Sequence, residues 1–317
     1  MSALKRKRDQ LISLLSCGKF TLRKWASNSA TLLEDIDPQD HGLACSKDLS
    51  TDETVKILGI VWSLASDNFS YRVFLDPKSP QSKRAVLSVI ARLYNPLGWA
   101  TPVTIAAKIL MQSLWRLKTD WDSPLPSHFM ERWSPVYSNL QHLNDINISR
   151  WTNVVPQSHV ELHGFADAST LAYAASVYMR VTLPDGETYV KLLAGKSKVA
   201  PIKPLTVPRL KLLAAVLLSR LMTFVKETLN FSKVPCYCWS DSTVALTWLS
   251  SHPSRWNVFV ANRVSQVHDL LPDVVWRHID TFNNPANCAS RGILGGELIS
   301  HGLWWQGPPW LIKPSVD

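Results

Sequence analysis

The chain has 317 residues, 46% of them apolar and 19% charged, with 34 Lys+Arg against 25 Asp+Glu for a net charge of +9. So much apolar matter supports a buried core and excludes wholesale disorder, and the length suggests about two domains. No apolar run approaches the ~18 residues of a membrane-spanning helix, and five irregularly placed cysteines make no disulfide framework, so an intracellular chain, cytoplasmic or nuclear, with no membrane partner is expected.

In chain order, Leu4 to Leu15 predicts a helix stopped at Gly18. Around it lies the one locally basic stretch, with Lys5, Arg6, Lys7, Arg8, Lys19, Arg23 and Lys24 against Asp9. A solvated helix face accounts for it as well as phosphate contact or nuclear import does. Residues 26–54, rich in Ser, Asn, Asp and Thr, read as an irregular connection. Val55 to Trp62 and Phe69 to Leu75 then flank Ala65-Ser66-Asp67-Asn68 as a hairpin. Three helical patterns follow: Lys83 to Tyr94, closed by Asn95-Pro96-Leu97-Gly98; Pro102 to Leu117; and a run through Trp133, Val136, Leu140 and Leu143. Trp62, Trp115, Trp133 and Trp248 sit among apolar neighbours, so packing is expected of them.

From residue 151 the texture changes. Val160 to Phe165, Ala172 to Val181 and Tyr189 to Ala194 read as a three-stranded antiparallel meander, with Pro184-Asp185-Gly186 as a turn. Leu210, Leu213, Ala214, Leu217, Leu221 and Val225 recur at helical spacing. Strands at 234–240 and 274–279, helices at 242–249 and 256–270, and a helix from Ala286 complete the order βββαβαβα. That order predicts an α/β fold, a mixed five-stranded sheet with flanking helices and the fourth strand parallel to the first, preceded by a smaller hairpin-plus-helices region.

Asp167 ends the first of these strands and Asp241 the fourth. If the two strands are neighbours, the carboxylates converge, and acids at adjacent strand ends can hold a hard divalent cation for phosphodiester hydrolysis. Capping of the following turn or helix by each Asp is the competing reading. Cys236 and Cys238 alternate on a strand and read as buried thiols, and His278 lies near the same sheet end.

Several ordered motifs go further. The run Val160 to Ser176, Leu205-Thr206-Val207-Pro208-Arg209-Leu210-Lys211, Trp239-Ser240-Asp241-Ser242 and Asn284-Pro285-Ala286-Asn287-Cys288-Ala289-Ser290-Arg291-Gly292 resembles the ribonuclease H domain of BEL/Pao-type retrotransposon polyproteins. Upstream, Phe20 to Trp25, Ile57-Leu58-Gly59-Ile60-Val61-Trp62 and Asn95-Pro96-Leu97-Gly98 resemble the region after the reverse-transcriptase palm of those elements. Trp304 to Leu311 resembles the segment leading toward integrase. The resemblance implies a thumb- or connection-like region over 1–150, a ribonuclease H-like domain over 151–300 and the start of a linker over 301–317.

It also implies four acidic site positions, of which this chain fills two, Asp167 and Asp241; Lys211 and Asn287 stand at the others. Mg²⁺ or Mn²⁺ would be the cofactor of an active site, and with these replacements none is expected to be held, so catalysis is expected to be impaired. Partners implied are RNA–DNA hybrid or another nucleic acid, bound without sequence preference. The alternative is an active metal-dependent ribonuclease H. No Asp-Asp dipeptide and no Asp-Ser-Gly or Asp-Thr-Gly triplet occurs in the chain.

Overall fold

A computed structural model of the chain describes residues 2–41, 54–57, 60–117 and 120–313. They fall into two compact units, Met1–Arg72 with Asn144–Trp151, and Val73–Leu143 with Thr152–Asp317.

In the first unit α1 (Ser2–Cys17) ends where Gly18 and Phe20 donate their N–H groups to the Leu15 carbonyl. Part of the basic cluster is neutralised inside the unit. Lys5 pairs with Glu34 and Asp35, and the 8% exposed Arg8 pairs with Asp9 and Asp35 while donating to the Leu32 carbonyl. The strands β1 (Thr54–Ile57), β2 (Ile60–Ser63), β3 (Asn68–Tyr71) and β4 (Asn147–Ser149) form an antiparallel sheet in that order. Asp67, at φ 51°, closes the β2–β3 turn and accepts from the Trp62 indole at 2.9 Å and the Arg150 guanidinium at 2.6 Å. Leu58 and Gly59 of the upstream motif, and residues 42–53 of the irregular connection, lie outside the described residues.

The second unit begins with α2 (Lys83–Ala91), α3 (Thr101–Arg116) and α4 (Ser127–Asn139). It continues with the meander β5 (His159–Ala168), β6 (Ala172–Thr182) and β7 (Thr188–Val199), then α5 (Val207–Thr228), β8 (Cys236–Ser240), α6 (Thr243–Leu249), α7 (Val258–Leu270) and β9 (Val275–His278). The sheet order is β7-β6-β5-β8-β9, with β8 parallel to β5 and β9 parallel to β8, so this is the mixed five-stranded ribonuclease H-like sheet. Alternation decides the faces: Leu162 and Ala166 of β5 and Cys238 of β8 pack with Leu210, Ala214, Leu217 and Leu218 of α5 in one buried core. Behind it, Val260, Val264 and Val267 of α7 bury against Leu212, Ala215 and Val216, each such side chain contributing about 1.5–3 kcal/mol.

The opposite side carries α8 (Ala286–Arg291), α9 (Gly295–Ile299) and α10 (Gly302–Gln306). Residues 301–313, read in sequence as the start of a linker, pack back onto the sheet. Trp304 is fully buried, Tyr178 donates to its carbonyl at 2.6 Å, and Arg180 donates to the carbonyls of Leu311 and Lys313.

The two units part at Trp151/Thr152, close to the change of texture, and also at Arg72/Val73 and Leu143/Asn144, so that residues 73–143 belong with the five-stranded sheet, where α3 and the loop before it close the outer edge of β7. Gly195 N–H donates to the Leu97 carbonyl at 2.9 Å, and the Trp99 indole and the Gln112 amide donate to the carbonyls of Leu192 and Ala200. An open strand edge would otherwise present these groups as a template for another chain. Of the four tryptophans expected to pack, Trp133 is fully buried, whereas Trp115 is 46% exposed, set edge-on against Trp121 with the Lys83 ammonium over its ring.

Candidate active site

The parallel register of β5 and β8 sets Ala166 opposite Ser240, so the next residues, Asp167 and Asp241, leave the sheet side by side. Lys211 joins them from the second turn of α5, whose apolar face is fixed on the sheet by Leu210 and Ala214. Its stem therefore emerges at the border of that face, directed at the strand ends. The ammonium donates to Asp167 Oδ1 at 2.7 Å and to Asp241 Oδ1 at 2.5 Å. All three side chains are enclosed, with 12%, 2% and 5% of Lys211, Asp167 and Asp241 exposed.

The remaining carboxylate oxygens are also taken. Ser290 Oγ, on α8, donates to Asp167 Oδ2, and Thr281 Oγ1 donates to Asp241 Oδ2 at 2.9 Å. Around them Asn284, fully buried, donates to the Ala166 carbonyl at 3.0 Å and accepts from Ala286 N–H, tying the start of α8 to β5. Ser169, in the β5–β6 turn, donates to the Ser290 carbonyl at 2.8 Å. Behind α8, Ile293 N–H donates to the Pro102 carbonyl of α3. Two carboxylates with four committed oxygens and one ammonium make a closed network, its hydrogen bonds charge-assisted and hence stronger than neutral ones.

Divalent ions, which the resemblance implies, do not fit this donor set. A cation shared by Asp167 and Asp241 would take the place of the Lys211 ammonium and meet its charge directly. Asn287 does not replace the missing carboxylate: its amide nitrogen donates to the Thr281 carbonyl at 3.2 Å, and its Oδ1, buried without a hydrogen-bond partner, offers an oxygen but no negative charge. Among the described residues no group of three or more His, Cys, Asp or Glu side chains is placed to hold a metal.

The structure thus brings Asp167, Asp241 and Lys211 together and sets Asn287 beside them without a bond to either carboxylate. Cys236 and Cys238 are free thiols, Cys238 fully buried, and His278 is exposed on β9. Ser290, Thr281 and Asn284 escape a reading that searches for charge, although two of them lie inside the motif around Asn287. A second polar cluster was also missed. Glu161 meets Arg180 at 2.7 Å and His163 at 3.5 Å, with the His163 ring stacked between Tyr237 and Trp239. His163 and Arg180 hold the Glu161 carboxyl down at about 2, while burial pushes the His163 imidazole below its ordinary value.

Comparisons with known proteins set this geometry in a family. Residues 82–242, from the Ser82 cap of α2 to the residue after Asp241, match the model of the Pao retrotransposon-like RNaseH-like domain. No curated protein matches the chain. Among solved structures, the foamy viral protease-reverse transcriptase in complex with RNA/DNA hybrid is 16% identical over 72% of this chain, with a TM-score of 0.45. This chain spans 29% of that one. RNase H1 from the halophilic archaeon Halobacterium salinarum NRC-1 is 13% identical over 40% of this chain and 90% of its own, with a TM-score of 0.27. The N-terminal RNase H domain of a Mycobacterium tuberculosis protein, solved as a fusion, is 14% identical over 42% and 93%, also at 0.27. The family match covers just over half of the chain and ends beside Asp241, at the close of the segment that carries Asp167, Lys211 and Asp241, and the chain belongs to the Pao retrotransposon-like RNaseH-like domain family.

Proposed function

We propose that the chain is a retrotransposon polyprotein segment whose ribonuclease H-like domain has lost turnover and retains sequence-independent nucleic-acid binding. The observation that carries the first half is the Lys211 ammonium seated on both Asp167 and Asp241. Hydrolysis in this chemistry needs cations that activate water and steady the leaving oxygen, and a fixed ammonium does neither. The net charge of +9 supports the second half, since phosphate neutralisation and counterion release need no base-reading motif. On this reading α1 to α4 with the small sheet correspond to the region following a reverse-transcriptase palm, and residues 301–317 are the start of a linker toward an integrase.

The deciding experiment is cleavage of a labelled RNA–DNA hybrid in Mg²⁺ or Mn²⁺ by the full chain and by a Lys211→Glu, Asn287→Asp double variant. No product from the chain, with product from the variant, is the expected outcome. Metal-dependent cleavage by the unchanged chain would overturn the proposal and establish the active-enzyme alternative.

A further inference from the structure

Away from the carboxylate pair, the second unit holds a concave surface between the α2–α3 loop, the outer strand β7 and the C-terminal half of α5. Four cations line it, Lys108, Lys196, Lys198 and Arg220, and no carboxylate does. Among the described residues none of the four forms an ion pair, in contrast to Lys5 and Arg8 of α1. The floor is apolar, with Leu97, Leu217 and Leu221.

The placement follows from the fold. Ala194 of β7 and Ala200, just past its end, belong to the core under α5, so by alternation Lys196 and Lys198 point to the same face, at the margin that α5 leaves uncovered. Two residues of strand separate them by roughly 6.6 Å, comparable with the spacing of successive phosphates along a nucleic-acid strand. Across the cleft Thr101, Thr104 and Lys108 share one stripe of α3. Lys108 is crowded enough for desolvation to lower its pKa, yet its side chain stays open to solvent. Arg220 comes from the third wall, about 14 Å along α5 from Lys211. The N–H groups where α3 begins are already bonded, that of the N-cap Ala100 to the Asn95 side chain and that of Thr101 to the Gly98 carbonyl, so side chains rather than a helix end face the ligand.

We infer that this cleft is a binding site for the phosphodiester backbone of a nucleic-acid strand, separate from the carboxylate pair. The inference rests on the nucleic-acid half of the proposed function and names its surface. Cations on three walls neutralise phosphates along the strand, and the absence of carboxylates means that no repulsion opposes entry.

The test is fluorescence anisotropy of a labelled single-stranded oligonucleotide and of an RNA–DNA hybrid, titrated with the full chain across a salt series. A Lys108→Ala, Lys196→Ala, Lys198→Ala, Arg220→Ala variant is compared with a control that loses the same charge from the first unit, Arg6→Ala, Lys7→Ala, Lys19→Ala, Lys24→Ala. Because all eight side chains are exposed, both variants keep the fold, and a milder Lys196→Gln, Lys198→Gln pair guards against an exception. The cleft variant is expected to bind at least tenfold more weakly, with its log–log salt slope reduced by about 0.7 to 0.9 per lost phosphate contact, and the control far less so. Equal losses in both variants, or none in the cleft variant, would overturn the site while leaving nucleic-acid binding intact. No binding by the unchanged chain would overturn the nucleic-acid reading itself. A competition arm with inorganic tripolyphosphate separates the ligands: displacement of the oligonucleotide at equal concentration of phosphate groups would assign the cleft to small polyphosphates and overturn the strand.

Discussion

Gly98 and Gly195 meet backbone to backbone: a Cβ built on Gly98 would stand 1.6 Å from the Gly195 carbonyl oxygen, and Gly98 itself has φ +76°. The contact fastens the loop before α3 to the outer strand of the five-stranded sheet, and a Cβ on Gly195 would stand 2.8 Å from both the Gly98 carbonyl oxygen and the Trp304 ring. Gly98→Ala therefore meets a backbone clash on top of the left-handed penalty of about 1–2 kcal/mol. A loss of more than about 2 kcal/mol is expected in urea unfolding. A change under about half that would show that the loop yields.

Removing one charge from the carboxylate network exposes what the network costs. Lys211→Met keeps the stem and leaves two enclosed carboxylates facing each other without a cation. Breaking such a buried pairing destabilises by about 3–5 kcal/mol. Asp167→Asn added to Lys211→Met is expected to recover part of the loss. Near-wild-type stability of Lys211→Met would mean that water already solvates the pair.

Acid sensitivity should come from the Glu161–His163–Arg180 cluster, and both shifted groups act in one direction. The Glu161 carboxyl, held down at about 2 from 4.5, contributes stability that is present above 4.5 and lost as pH falls toward 2. His163, held below 6.5 by burial, resists a proton that the unfolded chain accepts, so stability also falls as pH drops below 6.5. The urea midpoint of wild type minus His163→Phe should shrink between pH 7 and 5, and that of wild type minus Glu161→Gln below pH 4.5. Differences flat with pH would refute the assignment.

Truncation tests the spatial division. A chain of residues 152–317 lacks Leu97, Trp99 and Gln112, so the outer edge of β7 and the Trp304 surface lie open. It is expected to aggregate on size exclusion, whereas residues 73–317 elute as a folded species. A stable, monomeric 152–317 would show that α2 to α4 are dispensable.

Much of the second unit was legible because its strands alternate cleanly and its long helix carries one unbroken apolar stripe. The parallel neighbours β5 and β8, and hence the meeting of Asp167 with Asp241, follow from that order, as does the emergence of Lys211 at the stripe border. The roles of Ser290 and Thr281 were not legible, because a hydroxyl announces no partner until tertiary packing supplies one. Nor was the closure of β7 by residues 97–112, which depends on contacts about 90 residues apart rather than on any local period. Trp115 shows the same limit in reverse: its sequence neighbours are apolar, yet the ring lies half exposed against Trp121.

The ammonium between Asp167 and Asp241 is attached to the backbone through its own side chain. A dissolved ion at such a place is governed by its concentration, can be stripped by a chelator and exchanges with its competitors. A tethered one cannot be diluted away, because its four methylene groups set its effective concentration. One of the two negative charges at these strand ends is therefore offset by a cation that the chain itself carries. On the proposed reading, the cation at these strand ends is part of the chain rather than drawn from the medium.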